Sequence, residues 1–164
     1  MACNYGPMYL RINRNDLPVF TDESQGFEPG MIYTQRKGQD VAVFATGIMV
    51  SKALDAADVL AKEGISVGVF NVPSLKPLNA EPILDICKSV RGIVTAEEHS
   101  IYGGLGDALS SVVSANLAVR HVRVGVQDRF GTSAENYDEL LEHYGLNTQE
   151  IVNAVRLAYK GEIL

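Results

Sequence analysis

The sequence predicts an α/β domain of three layers, with helices packed on both faces of a mostly parallel sheet. Two observations carry the prediction. From Asp40 onward, short apolar runs alternate with amphipathic stretches of helical length. Glycines and asparagines stand where strands and helices should end or begin, as at Gly47, Gly64, Asn79 and Asn147.

The elements follow in order. Val41-Ala42-Val43-Phe44-Ala45-Thr46 is a continuous apolar run ending at Gly47, as a strand covered on both faces requires. Val50, Ala53, Leu54, Ala57, Leu60 and Ala61 recur at helical spacing, and Gly64 can end that helix. Ile65 to Phe70 reads as a second strand. Asn79 can cap a helix that carries Pro82 in its first turn and Ile83, Ile86, Cys87 and Val90 on its inner face. Ile93-Val94-Thr95-Ala96 is a third strand. Leu105, Ala108, Leu109, Val112 and Val113 mark a third helix. Val122, Val124 and Val126 alternate with Arg123 and Gly125, which predicts a strand exposed on one side. A helix through Tyr137–Leu141 stops at Gly145. The last helix opens at Asn147, with Glu150 three residues on in the manner of a capping box.

The amino-terminal part is different. Residues 6–12 read as a short strand. Residues 15–38 lose periodicity, carry Pro18, Gly26, Pro29, Gly30 and Gly38, and include an acidic stretch at 21–24. This predicts a linker, with a short strand at Met31-Ile32-Tyr33. The expected division is a tail of a preceding domain at 1–16, a linker at 17–39 and the main domain at 40–164.

Composition narrows the function classes. Hydrophobic residues are 46% and charged residues 21%, ordinary for a globular protein. The net charge of −6 and the lack of a Lys/Arg block disfavour a nucleic-acid or anionic-membrane surface. No apolar run approaches the roughly 20 residues of a membrane span. Cys3 and Cys87 form no metal or redox spacing, so a reduced, cytoplasmic setting is expected.

Two local motifs invite chemistry. Gly103-Gly104-Leu105-Gly106 follows a strand and opens a helix, where glycines allow close approach and backbone N–H groups attract anions. It is neither a full dinucleotide fingerprint nor a Walker loop, and tight helix–sheet packing is the preferred explanation. Glu97-Glu98-His99 ends the same strand, where open α/β sheets border ligand crevices. Alternation points Glu97 and His99 to one side and Glu98 to the other, and one glutamate can accept hydrogen bonds from the glycine-rich turn. A carboxylate beside an imidazole could do acid–base work, but an interface or a satisfied network is the preferred reading. Glu98, His99, Gly103 and Gly104 are therefore candidates for a domain interface or a small anion pocket. His121 and His143 lack partners at metal spacing and read as structural or solvent-facing. Ser133 lacks a nucleophile-elbow context and reads as a turn residue.

An ordered series of segments resembles the carboxy-terminal domain of the transketolase superfamily. It runs through Asp40–Gly47, Glu63–Ile65, Ser74–Leu78, Val94–His99, Tyr102–Ala108, Val124–Ser133 and Tyr144–Leu146. The segment from Gly6 to Pro18 is similar to the end of the transketolase pyrimidine-binding domain. There the pattern is Ser-Arg-Gln-Asn-Leu-Pro, whereas here Asn13 replaces the serine and Asn15-Asp16 replaces Gln-Asn. The resemblance implies a five-stranded sheet and assigns the substrate-phosphate arginine to Arg14, since a guanidinium matches a phosphate through two parallel charged hydrogen bonds.

The resemblance also implies two-carbon ketol transfer between sugar phosphates with thiamine diphosphate and Mg²⁺. The diphosphate motif and the activating glutamate of that family are not found in this sequence, so the chain alone is expected to be inactive and to hold no cofactor. The implied partners are the missing diphosphate- and pyrimidine-binding domains or subunit, a homo-oligomer and sugar phosphates, with no catalytic residue or metal ligand in this chain. Siblings remain as alternatives: deoxyxylulose-phosphate synthase and the β-subunit of 2-oxoacid dehydrogenases. A stand-alone anion-binding regulatory module is the alternative from another class.

Overall fold

The computed structural model describes residues 5–10, 12–13 and 15–161. The elements are β1 (Tyr33–Arg36), β2 (Val41–Ala45), α1 (Met49–Ala61), β3 (Val67–Asn71), α2 (Ala80–Lys88), β4 (Gly92–Ser100), α3 (Leu105–Ser114), β5 (Arg120–Val126), α4 (Tyr137–His143) and α5 (Thr148–Lys160). They build one five-stranded sheet in the order β1-β3-β2-β4-β5. β1 runs antiparallel to β3, and every other pair is parallel. The predicted α/β fold with a mostly parallel five-stranded sheet is the observed one.

Strand alternation divides the core in two. Val41, Val43 and Ala45 of β2 face a cluster built with α1 and α5, including Leu60, Ile151 and Val155. Ala42 and Phe44 face the opposite cluster, built with α2 and α3 through Ile83, Leu105 and Leu109. The central strand is covered on both faces, which is why its sequence is apolar throughout. Each fully buried Leu, Ile or Val stabilises by roughly 1.5–3 kcal/mol relative to exposure.

Three helices begin as the side chains demand. Asn79, Asn136 and Asn147 each accept a hydrogen bond from a backbone N–H in the first turn of α2, α4 and α5. The Asn147 cap receives Glu150 N–H at 2.9 Å. The tight entry to β2 needs a glycine, since a Cβ at Gly38 would lie 2.1 Å from the backbone of Val67 and Gly68.

Several expectations are corrected. The short strand expected at 31–33 is β1, which starts two residues later than Met31 and pairs with β3 at the sheet edge. Its mixed sequence suits an edge strand with one neighbour. No strand forms over the described residues within 6–12, where no partner strand lies alongside. The second strand is Val67–Asn71, and the third extends to Ser100, so Glu97, Glu98 and His99 belong to β4 itself. β5 is not open on one face. His121 and Arg123 lie beneath α3, opposite the valines that meet the α5 side. Among the described residues no helix is long and apolar enough to cross a membrane.

Candidate functional site

The polar residues singled out in the sequence gather at the carboxyl end of β4 and the start of α3. Glu97 is 2% exposed. Its two carboxylate oxygens accept from Leu105 N–H at 2.6 Å and Gly106 N–H at 2.8 Å. The carboxylate thus occupies the positive end of α3 and satisfies two donors that the helix leaves unpaired. Gly104 is required by this arrangement, since a Cβ there would sit 1.9 Å from Glu97 Oε2. Of the backbone donors at this turn, Leu105 and Gly106 N–H are taken by Glu97 and Gly103 N–H by Asp107.

Beneath α3 lies a second polar group. His121 is held between Thr95 Oγ1, 2.9 Å from Nε2, and Ser110 Oγ, 3.0 Å from Nδ1. Arg123 donates to Ser110 Oγ at 2.8 Å and to Asp107 at 2.5 Å. Asp107 also accepts from Gly103 N–H at 2.6 Å. Because the Ser110 oxygen already accepts from Arg123, its hydroxyl is free to donate to Nδ1, leaving Nε2–H to donate to Thr95. Burial, followed by the nearby Arg123 charge, pulls the His121 pKa down to about 4. Asp107 is held below the ordinary carboxylate range by the Gly103 N–H and then by Arg123. The imidazole is neutral and locked between two hydroxyls. This ties α3 to the sheet.

Glu98 and His99 are exposed at the end of β4, on opposite faces as alternation requires. His99 Nδ1 donates to the Ser100 carbonyl at 2.9 Å and stands 4.0 Å from Glu97 Oε2. Two aromatic side chains flank this end of the sheet. Tyr102 is 59% exposed, and Phe130 is fully exposed although Tyr144 Oη donates to its carbonyl at 2.8 Å. This end of the sheet therefore exposes a carboxylate, an imidazole and two aromatic rings. That composition suits contact between polypeptides better than chemistry on a small molecule.

Arg14, the substrate-phosphate residue of the resemblance, lies outside the described residues. Its neighbours Asn13 and Asn15 are described, and Asn15 lines a cavity with Asn136, Tyr137 and Leu140. Among the described residues no group of three His, Cys, Asp or Glu side chains is placed to hold a metal ion. The role of Glu97 was half legible, since one of the two adjacent glutamates was expected to bond the glycine-rich turn and alternation chose between them. The participation of Asp107 and Arg123 was missed. The single available signal was the acid–base pair Asp107 and Arg123, which no sequence spacing connects.

The chain matches the family described as "Transketolase, C-terminal domain" over residues 30–151. It is 41% identical to a 6-deoxy-6-sulfo-D-fructose transketolase subunit from Clostridium sp. (strain MSTE9), over 91% of this chain and 46% of that protein. It is 37% identical to a putative transketolase C-terminal section from Methanocaldococcus jannaschii, over 96% of this chain and 49% of that protein. Sequences of 1-deoxy-D-xylulose-5-phosphate synthases match as well. A solved structure described as a split gene transketolase, inactive beta4 tetramer, superimposes with a TM-score of 0.85 at 41% identity, covering 90% of this chain and 48% of that one. The chain thus spans about half the length of the transketolase subunit and C-terminal section it matches, and a quarter or less of the synthases.

Proposed function

The chain belongs to the transketolase C-terminal domain family, and on that premise we propose that it is the carboxy-terminal part of a transketolase-type enzyme. The complete enzyme transfers a two-carbon ketol unit from a ketose phosphate to an aldose phosphate. Thiamine diphosphate and Mg²⁺ supply the carbanion chemistry there. The described residues do not fit that group, because they offer no metal-holding cluster and the Leu105 and Gly106 N–H groups at the start of α3 are taken by Glu97. The cofactor is therefore assigned to the diphosphate- and pyrimidine-binding domains or subunit that complete the enzyme.

In this reading the chain serves assembly, in a cytoplasmic homo-oligomer, and Arg14 binds substrate phosphate. The observation that supports it best is the fit, at 41% identity and a TM-score of 0.85, to half of a split transketolase chain. The exposed carboxylate, imidazole and aromatic rings at the end of β4 and β5 form the surface that meets the completing polypeptide. The matched deoxyxylulose-phosphate synthases favour a second reading, in which the complete enzyme joins pyruvate to an aldose phosphate.

A donor screen on the complete enzyme separates the two. Ketol transfer from a ketose phosphate without pyruvate consumption supports the first reading. Pyruvate consumption with release of CO₂ supports the second. The occupied donors at α3 argue against a stand-alone anion-binding module. Saturable binding of inorganic phosphate or a nucleotide at α3 by this chain alone would revive it.

A further inference from the structure

β2 is the central strand of the sheet, with β3 on one side and β4 on the other. The helices that follow β2 and β4 lie on opposite faces, α1 with α5 and α3 with α2. Between those two connections, at the carboxyl ends of the strands, is the crevice in which open α/β sheets take up ligands. On the β4 side the protein closes it, because Glu97 accepts the first N–H groups of α3. On the β2 side no described side chain does so.

Thr46-Gly47-Ile48 makes the turn into α1. Gly47 has φ +60°, and Ile48 lies in the right-handed helical region at φ −60°, ψ −26°. Successive residues of opposite hand turn their N–H groups to the same side, which forms a concavity suited to an anion. Thr46 N–H is bonded to the Ala96 carbonyl, and Val50 and Ser51 N–H to the carbonyls of Gly47 and Ile48. The N–H groups of Gly47 and Ile48 donate to no described residue. α1 has no side-chain cap and no acidic residue in its first turn. A Cβ at Gly47 would meet no atom within 4 Å, so the turn is open to an approaching group.

A second observation is independent of the helix. Asn71 closes β3, is only 7% exposed, and its amide forms no hydrogen bond with a described residue. Its direction follows from the pleat. Val67 and Val69 face the core shared with α1, and Asn71 continues that side. Its partner in register is Ala45, which faces the same core and leads directly into Thr46-Gly47. The Asn71 side chain therefore points to the α1 side of the sheet, at the level where α1 begins. A buried amide without a partner is costly, and this one lies beside two backbone donors that lack an acceptor. Glu98 follows Val94 and Ala96 on the same side of β4, and its exposure leaves its charge screened by water.

We infer that the Gly47-Ile48 turn, the start of α1 and Asn71 form a binding site for the phosphate group of a small phosphate or phosphate monoester. The two N–H groups and the dipole of a 13-residue helix take the phosphate oxygens, and the Asn71 amide donates to one of them from the sheet. At α3, two N–H groups suffice for the two oxygens of Glu97. Here the amide adds a third direction of donors, which the terminal oxygens of a phosphate use and a carboxylate leaves over. The site is separate from the glycine-rich turn and does not rest on the reading of the chain as part of a transketolase.

The test is an NMR titration of this chain with inorganic phosphate, and then with glycerol phosphate, at constant ionic strength. The backbone amide signals of Gly47 and Ile48 and the side-chain amide of Asn71 should shift saturably, while those of Gly104 and Gly106 stay fixed. Asn71→Ala should weaken binding about tenfold, as expected for one lost hydrogen bond to a charged group, with little change in Tm without phosphate. Ser51→Glu puts a carboxylate in the first turn of α1 and should abolish binding without lowering Tm. Tighter binding of glycerol phosphate identifies a monoester as the occupant, and tighter binding of inorganic phosphate identifies the free ion. No saturable shift at Gly47 and Ile48, shifts centred on the glycine-rich turn, or equal affinity in wild type and both variants overturns the inference. Shifts at Gly47 and Ile48 that need the completing polypeptide instead of phosphate would assign the donors to that partner, and overturn it as well.

Discussion

Replacing Glu97 with Gln keeps shape and volume but removes the charge that closes the amino terminus of α3. The wild-type carboxylate accepts two backbone N–H groups, at 2.6 and 2.8 Å, in a site only 2% exposed. A glutamine can accept one of them and turns its amide hydrogens toward the other. The change loses one charge-assisted hydrogen bond, about 1.5–3 kcal/mol, and leaves a buried donor unpaired at a cost of the same order, partly offset by relaxation. A loss of about 2–4 kcal/mol follows, or roughly 4–16 °C in Tm for a domain of this size. Urea and thermal unfolding followed by circular dichroism measure it.

A double-mutant cycle isolates the cause. Gly104→Ala places a Cβ where Glu97 Oε2 now sits, so it should be strongly destabilising in wild type. In a Glu97→Ala background the same change should cost far less, because the oxygen is gone. A Tm change under about 1 °C for Glu97→Gln, or an equal cost of Gly104→Ala in both backgrounds, refutes the reasoning.

Other outcomes follow from the same structure. His121 has a folded pKa of about 4 against an ordinary 6.5, so below 6.5 the unfolded chain binds a proton that the folded chain refuses. Its contribution to stability is present above pH 6.5 and is lost as pH falls toward 4, by at most about 3 kcal/mol. Urea midpoints should fall over that range in wild type, with a shallower fall in His121→Gln. Burial pushes the Cys87 thiol up to about 11, so at pH 8 alkylation of Cys87, read by mass spectrometry in a Cys3→Ser variant, should be about a hundredfold slower than that of a free thiol. Phe130 is fully exposed, so Phe130→Ser should leave Tm unchanged yet weaken association with the completing polypeptide about 5- to 10-fold in sedimentation analysis.

The fold was legible because its signals are local. Continuous apolar runs such as Val41–Ala45 reveal strands covered on both faces, and asparagines such as Asn79 and Asn147 reveal where helices begin. β1 was blurred because an edge strand with one partner needs neither alternation nor a long apolar run. β5 was misjudged because Arg123 looks solvent-facing in sequence, whereas Asp107 and Ser110 give it partners under α3. The candidate site was legible in place but not in function. Glycines before a helix suggest room for an anion, and the sequence offered Glu97 or Glu98 to bond that turn without saying that Glu97 fills it with both oxygens.

The central claim is that this chain completes a transketolase-type enzyme. Its most direct test is a coupled ketol-transfer assay with thiamine diphosphate and Mg²⁺, run on the chain alone and again with the completing polypeptide added. Silence alone and activity on mixing is the predicted result. Activity of the chain alone, or silence after the two parts are shown to be folded and associated, would contradict it.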